Sequence, residues 1–296
     1  MKERPFSLVL SVLLLISGKS LFAQDIKGAV SFHIHSSHTS FPDTGRANGH
    51  VYDKVLYSAA EHYRDSTVLI IAPEHSDAKK TVDLVFWFHG WHNNVDNAAV
   101  YYELTKQFIA SHRNAVLVLA ETAKDSPDSY GGKLENTGVF KALAGDVLNG
   151  LIAQHLVAKN CTAGHILLAG HSGAYRVMAR IIQNGQMPVS EAMLFDALYG
   201  ETEIFMTWVK VDNTHRFIHL YTDHGGTDGE SHAMVKLLDQ EHIPYIETEE
   251  RNVTSKLLKD NRLVYIHSLR EHNDIINKPD NFRLFLENNP FLKNLK

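Results

Sequence analysis

The sequence predicts an α/β protein built on a doubly wound, mostly parallel sheet. Short apolar runs alternate with stretches of helical spacing along most of the 296 residues, which is typical of repeated β-α units. The apolar run at residues 82–89 is nearly uninterrupted, as expected of a strand that helices cover on both faces. No repeat or linker divides the chain, so we expect one large domain at residues 24–296.

Each expected element follows from a local pattern of apolar residues. Runs of apolar and β-branched residues predict strands, and apolar residues three and four positions apart predict helices. The expected strands are residues 28–34, 67–72, 82–89, 115–120, 166–169, 191–195, 216–221 and 263–267. The expected helices are residues 99–111, 139–155, 174–183, 203–210, 231–240 and 280–287. Segments 36–48 and 121–138 have no regular pattern, and irregular segments of this length are often functional.

Residues 1–23 have the pattern of a secretory signal peptide. Lys2 and Arg4 precede an apolar stretch at residues 6–16, and small residues lead to Ala23. The stretch is short for a membrane span. We therefore expect cleavage after Ala23, a secreted or periplasmic protein, and no membrane contact after cleavage.

The composition excludes some classes of function. The net charge of −5 gives no basis for binding nucleic acid. Cys161 is the only cysteine, so no intrachain disulfide can form, and its place before an apolar run indicates a small buried side chain.

Ser172 has the setting of a nucleophilic serine. It lies in Gly170-His171-Ser172-Gly173-Ala174, between the strand pattern at 166–169 and the helical pattern at 174–183. A sharp strand-to-helix turn exposes a serine hydroxyl at the end of a sheet and brings main-chain N–H groups beside it. Ala174 stands where a glycine is more usual, which is a difference of one methyl group.

A serine nucleophile needs a histidine base and an acid that orients the histidine. His272 follows the last expected strand and is the first choice of base, with His267 at the strand end as the alternative. Two acids follow strands in the required position. Asp196 comes directly after an apolar strand and is preferred, because burial of a carboxylate requires a partner, while Asp223 lies in a glycine-rich loop.

Two main-chain N–H groups are expected to stabilise an oxyanion. One belongs to Gly173, directly after the serine, and the other to Trp91 in Phe88-His89-Gly90-Trp91. Gly90 would let the main chain approach a substrate closely.

With these motifs in this order, the chain resembles the α/β-hydrolase superfamily over essentially all of residues 24–296. The stretch Asp196-Ala197-Leu198-Tyr199-Gly200 also resembles poorly characterised secreted bacterial members, which adds weight to Asp196. The superfamily usually places its acid one strand later, which keeps Asp223 open. The resemblance implies hydrolysis of an ester, amide or similar bond without a cofactor, and it does not name the substrate.

Residues 197–215 leave room for one helix and for no large lid. An open cleft suits a bulky or polymeric substrate. We therefore expect a carboxylesterase, with an amidase or peptidase acting on cell-envelope peptides as the alternative. The alternative that involves no catalysis is a binding module on a hydrolase fold.

Histidine clusters raise the question of a metal. His33, His35 and His38 are closely spaced, as are His89 and His92, and alternate strand positions place the first two on one face. Because no HExxH motif or cysteine pair accompanies them, we expect structural or solvent-facing histidines and no metal site.

Overall fold

In the computed structural model, which describes residues 26–74 and 80–296, a nine-stranded sheet forms the centre of the fold. The expected signal peptide lies outside the described residues. The strands are β1 (Ala29–His35), β2 (His50–Tyr52), β3 (Val55–Tyr57), β4 (Thr67–Pro73), β5 (Thr81–Phe88), β6 (Ala115–Ala120), β7 (Thr162–His171), β8 (Val189–Phe195), β9 (Arg216–Thr222), β10 (Ile246–Glu249) and β11 (Leu263–Ser268).

The order of the strands is β1-β4-β6-β5-β7-β8-β9-β11-β10, and β2 pairs with β3 in a separate hairpin. The pairs β1–β4 and β4–β6 are antiparallel, whereas every pair from β6–β5 to β11–β10 is parallel. The predicted doubly wound, mostly parallel sheet is therefore confirmed. Its parallel strands all end at one edge, where catalytic groups collect in folds of this type.

Helices cover both faces of this sheet. They are α1 (Ala59–His62), α2 (Val95–Tyr101), α3 (Leu104–Ala110), α4 (Val139–Ala153), α5 (Tyr175–Asn184), α6 (Thr202–Val211), α7 (Asp228–Gln240), α8 (Ser255–Asp260) and α9 (Asn281–Glu287). None of the helices in residues 26–74 and 80–296 is long and apolar enough to cross a membrane.

The core consists of two layers separated by the sheet. Successive side chains of β5 alternate between them, since strand residues point to opposite faces. Leu84, Phe86 and Phe88 pack with α4, α5, α6 and α7, whereas Val85 and Trp87 pack with α2, α3, α8 and α9. This burial on both faces explains the uninterrupted apolar run of β5.

The prediction of one continuous helix at residues 99–111 is wrong. The chain forms α2 and α3 with a break at Glu103, whose φ of 51° is left-handed. The buried Gln107 amide donates to the Tyr102 carbonyl at 2.8 Å, which satisfies an acceptor that the break would leave free. Tyr102, the residue directly before the break, is buried.

The two irregular segments pack against each other beside the carboxyl edge of the sheet. Phe41, Tyr63 and Ala123 form a small separate core, and the Arg46 guanidinium pairs with Asp128 at 2.5 Å. Between β8 and β9 the chain contains only α6, so the expected absence of a large lid at this point is confirmed.

Candidate active site

Ser172 lies on the turn between β7 and α5. One 3₁₀ turn, Ser172–Ala174, separates the strand from the helix, and Ser172 has a φ of 55°. A left-handed conformation in a residue other than glycine costs about 1–3 kcal/mol and occurs preferentially at functional sites. The structure thus has the strand, strained turn and helix that the sequence predicts around this serine.

Two glycines make room for this turn. A Cβ atom on Gly170 would lie 2.6 Å from Met178 Sδ and 2.7 Å from Ala174 Cβ. A Cβ atom on Gly90 would lie 2.6 Å from Ser172 Cβ. Because real Cβ atoms essentially never come so close, each position requires glycine, and Gly170 is what permits a methyl group at Ala174.

The structure brings His272 and Asp196 together. His272 Nδ1 lies 2.6 Å from Asp196 Oδ2, and the Asp196 side chain is fully buried at the end of β8. The Thr222 hydroxyl donates to the same carboxylate oxygen at 2.8 Å, and the Thr227 hydroxyl donates to the other. This carboxylate therefore has donors on both oxygens, as a buried charge requires.

These donors keep the carboxylate ionised. Burial alone would raise the pKa of Asp196, but the hydrogen bond with His272 and those from Thr227 and Thr222 outweigh burial and hold the pKa below its usual value. An ionised carboxylate favours the tautomer of the His272 ring that carries its proton on Nδ1.

Gly225 lets the loop after β9 close over Asp196. A Cβ atom on Gly225 would lie 1.5 Å from Asp196 Oδ2, so no other residue can occupy this position without displacing the carboxylate. The role of Gly225 was not predicted from the sequence. Its only signal was the Gly225-Gly226 pair directly after an expected strand.

The alternative pair, Asp223 and His267, forms a separate contact. Asp223 Oδ1 lies 2.7 Å from His267 Nε2, and Glu249 lies 3.2 Å from the other ring nitrogen. Burial would lower the pKa of His267, but its hydrogen bonds with Asp223 and Glu249 raise it above the usual value. With carboxylates on both nitrogens, His267 has no free nitrogen to accept a proton from a serine.

Ser172 and His272 line the same open cleft, of about 660 Å³. Tyr199 lines a second pocket together with Ser172, and the Tyr199 hydroxyl donates to the Gly225 carbonyl. Burial raises the pKa of Tyr199 to about 12, so its hydroxyl is protonated at neutral pH.

His171, directly before the serine, holds the main chain of His272. Its Nε2 lies 3.0 Å from the His272 carbonyl oxygen, and its Nδ1 lies 3.0 Å from the Tyr102 hydroxyl. Burial, followed by the nearby His272, lowers the pKa of His171 to about 3. The ring is therefore neutral, with its Nε2–H donated to the carbonyl and Nδ1 facing the Tyr102 hydroxyl, which also lies 3.2 Å from Asn273 Oδ1. Sequence reasoning missed this role, because His171 occupies the position of the motif that any residue can fill.

A buried pair fixes the loop that contains Trp91. His89 Nε2 lies 2.6 Å from Glu121, and His89 Nδ1 lies 2.8 Å from the Gly90 carbonyl. Burial would lower the pKa of His89, but the charge and hydrogen bond of Glu121 raise it above its usual value. The glutamate thus favours a charged ring beside the loop that contains Trp91.

The two expected oxyanion residues, Trp91 and Gly173, lie against each other. A Cβ atom on Gly173 would be 2.5 Å from the Trp91 indole, and the indole N–H donates to Ser129 Oγ at 2.8 Å. Both residues line a pocket of about 310 Å³ with Ser172. The glycine thus gives the indole room beside the serine.

The histidines of the amino-terminal cluster have separate partners. His33 pairs with Asp96 at 2.8 Å, His38 pairs with Asp146 at 2.8 Å, and His35 lies near Ser66. Within residues 26–74 and 80–296, no group of three or more histidine, cysteine, aspartate or glutamate side chains is placed to hold a metal ion.

Comparison with known proteins identifies the fold. Neither a protein-family model nor a curated protein matches the sequence. Among solved structures, the S-formylglutathione hydrolase of Staphylococcus aureus is similar at a TM-score of 0.51 and 10% identity, covering 88% of this chain and 96% of that chain.

Two further structures resemble this chain to the same degree. A ferulic acid esterase is similar at a TM-score of 0.51 and 10% identity, covering 89% of this chain and 98% of that chain. The fluorophosphonate-binding serine hydrolase F of Staphylococcus aureus is similar at a TM-score of 0.50 and 10% identity, covering 88% and 98%. The chain therefore has the α/β-hydrolase fold.

Proposed function

We propose that this protein is a secreted serine hydrolase that cleaves a carboxylic ester through an acyl-enzyme. The observation that carries the proposal is the 2.6 Å contact between His272 Nδ1 and the buried carboxylate of Asp196, at the cleft that Ser172 lines. Secretion rests on the signal-peptide pattern of residues 1–23.

In the proposed reaction, Ser172 Oγ attacks the carbonyl carbon of the ester while His272 Nε2 accepts the hydroxyl proton. The resulting imidazolium then donates this proton to the departing alcohol, and the acyl group remains on Ser172. Water, deprotonated by the same nitrogen, attacks the acyl-enzyme, releases the carboxylic acid and restores the serine.

Asp196 orients the His272 ring and stabilises its positive charge during both steps. The depressed pKa of Asp196 supports this role, since a carboxylate that stays ionised can balance an imidazolium. The main-chain N–H groups of Gly173 and Trp91 are proposed to stabilise the negative oxygen of the tetrahedral intermediate.

The names of the structural neighbours support an ester rather than an amide. They are described as an S-formylglutathione hydrolase, a ferulic acid esterase and a serine hydrolase. The same three side chains can hydrolyse amides as well, so the experiment must compare the two bonds directly.

The test is a panel of esters and amides with identical acyl groups, assayed with the mature protein, Ser172→Ala and Ser190→Ala. Ser190 is a matched control because its Oγ also lies 3.0 Å from a histidine, His165 Nδ1, but near the amino-terminal end of β8. We expect ester hydrolysis by the mature protein and Ser190→Ala, and a loss of ~10⁴–10⁶ in Ser172→Ala. Amide hydrolysis alone would make the protein an amidase or peptidase, and hydrolysis of neither would favour a binding module.

A further inference from the structure

Two cavities meet at Ser172. One is the open cleft of about 660 Å³, which contains His272, Asn273 and Tyr101. The other is the pocket of about 310 Å³, which contains Tyr175, Tyr199 and Ser129. Trp91 borders both, so it separates two regions that an ester bound at the serine could fill at once.

The position of His272 distinguishes these cavities chemically. The departing alcohol oxygen takes its proton from His272, so the alcohol must lie on the histidine side of the serine. His272 lines the open cleft and does not line the smaller pocket. The alcohol therefore occupies the open cleft, and the acyl chain extends into the pocket.

The walls of the smaller pocket are aromatic. Trp91, Tyr175 and Tyr199 contribute its rings, and the Tyr175 and Tyr199 ring centroids lie 5.9 Å apart at an interplanar angle of 46°. Inclined rings present both faces and edges, which are the surfaces that pair favourably with another aromatic ring.

Hydrogen bonds hold two of these walls in place. The Trp91 indole donates to Ser129, and the Tyr199 hydroxyl donates to the Gly225 carbonyl. A pocket whose walls are already fixed loses little entropy when it binds a rigid group.

The volume limits what can enter. A cavity of roughly 150 Å³ holds a benzene molecule. A pocket of about 310 Å³ therefore accepts one ring with a short chain to the carbonyl carbon, and is small for a long fatty acyl chain.

We infer that this pocket is an acyl subsite for an aromatic carboxylic acid, so that the substrate is the ester of an aryl-bearing acid with an alcohol that lies in the open cleft. This inference rests on the proposed function.

The test uses two isomeric esters with alcohols of similar reactivity. Methyl phenylacetate places the ring on the acyl side, and benzyl acetate places it on the alcohol side. We expect kcat/KM for methyl phenylacetate to exceed that for benzyl acetate about tenfold or more, because only the former fills the pocket. Methyl cyclohexylacetate, which keeps the ring size without π electrons, should react about two- to tenfold more slowly than methyl phenylacetate.

Variants at Tyr175 test the wall itself. Tyr175→Leu should lower the ratio of phenylacetate to cyclohexylacetate hydrolysis by about two- to tenfold, whereas Tyr175→Phe should retain it. Tyr101→Leu is the matched control in the open cleft and should leave this ratio unchanged.

The possible failures are distinguishable. Equal or faster hydrolysis of benzyl acetate would overturn the assignment of the acyl side, and equal rates for the two ring-bearing methyl esters would overturn the aromatic preference. In both cases ester hydrolysis, and with it the proposed function, would stand. Absence of hydrolysis across the whole ester panel would overturn the proposed function and this inference with it.

Discussion

Replacement of His171 by phenylalanine should destabilise the protein at neutral pH and make its stability less sensitive to acid. The variant keeps an aromatic ring but removes the donor to the His272 carbonyl and one of the two acceptors near the Tyr102 hydroxyl, the other being Asn273 Oδ1 at 3.2 Å. Loss of a buried hydrogen-bond partner costs about 1–3 kcal/mol. At pH 7.5 we therefore expect the variant to be less stable by about that amount.

The acid dependence of the stability follows from the pKa of His171, which is about 3 in the folded protein against an ordinary value of 6.5. Between these values the unfolded chain binds a proton on His171 and the folded protein does not, so stability falls as the pH falls, by up to about 1.4 kcal/mol per pH unit. Wild type should lose about 2 kcal/mol between pH 7.5 and pH 5 through this histidine alone. His171→Phe has no histidine to titrate at this position and does not lose this stability. The difference in the free energy of unfolding between wild type and the variant should therefore shrink or vanish at pH 5.

Urea unfolding followed by circular dichroism at pH 7.5 and pH 5 measures this difference. Tyr102→Phe is the control, because it removes a partner of His171 but leaves the histidine buried, and it should retain the acid sensitivity of wild type. His171→Phe should also lower kcat with little change in KM, since it loosens the main chain of the proposed base. A stability difference that stays constant between the two pH values would refute a buried, neutral His171.

Three further predictions concern the proposed triad. Asp196→Asn should lower kcat by ~10⁴, because an amide cannot enforce the right tautomer of His272 or stabilise its imidazolium form. Asp223→Asn should keep a kcat within about threefold of wild type. Ester assays of both variants decide between the two acids, and the reverse pattern would move the acid to Asp223. Gly225→Ala should lower kcat by about 10² or more, because its methyl group would lie 1.5 Å from Asp196 Oδ2 and would displace the carboxylate; a variant with normal kcat would show that the loop can relax. Prolonged dialysis against EDTA should leave the ester rate unchanged, since each step uses only side chains and water; a loss restored by zinc would contradict this mechanism.

Local patterns predicted most of the central sheet. The run at residues 82–89 and β5, Thr81–Phe88, differ by one residue at each end, because a strand buried on both faces has an unmistakable composition. The sharp turn at Ser172 was also predictable, since its glycines are required by contacts close to them in sequence or in the adjacent strand.

The elements that the sequence analysis missed depend on tertiary contacts or have weak signals. The hairpin of β2 and β3 turns at Asp53 and Lys54, which both have positive φ, and it lacks the glycine that usually marks such a turn. The strand β10, Ile246–Glu249, is short, polar and at the edge of the sheet. The apolar pattern of residues 99–111 is continuous and gives no sign of the break at Glu103.

The candidate site also has features that local patterns indicate and contacts that they do not. The contact of His272 with Asp196 could be expected, because both residues follow strands that end at the same edge of the sheet, while the catalytic roles of Ser172, His272 and Asp196 stay predictions. The contacts of His171 with the His272 carbonyl and of Thr222 and Thr227 with Asp196 join residues distant in sequence, which no local pattern reveals.

The most direct test of the account is the attachment site of a fluorophosphonate probe, located by mass spectrometry in the mature protein. We predict one probe per molecule on Ser172, no labelling of Ser172→Ala, and wild-type labelling of Ser190→Ala. Labelling at another residue, or ester hydrolysis that persists in a protein whose Ser172 cannot be labelled, would contradict the claim that Ser172 is the nucleophile.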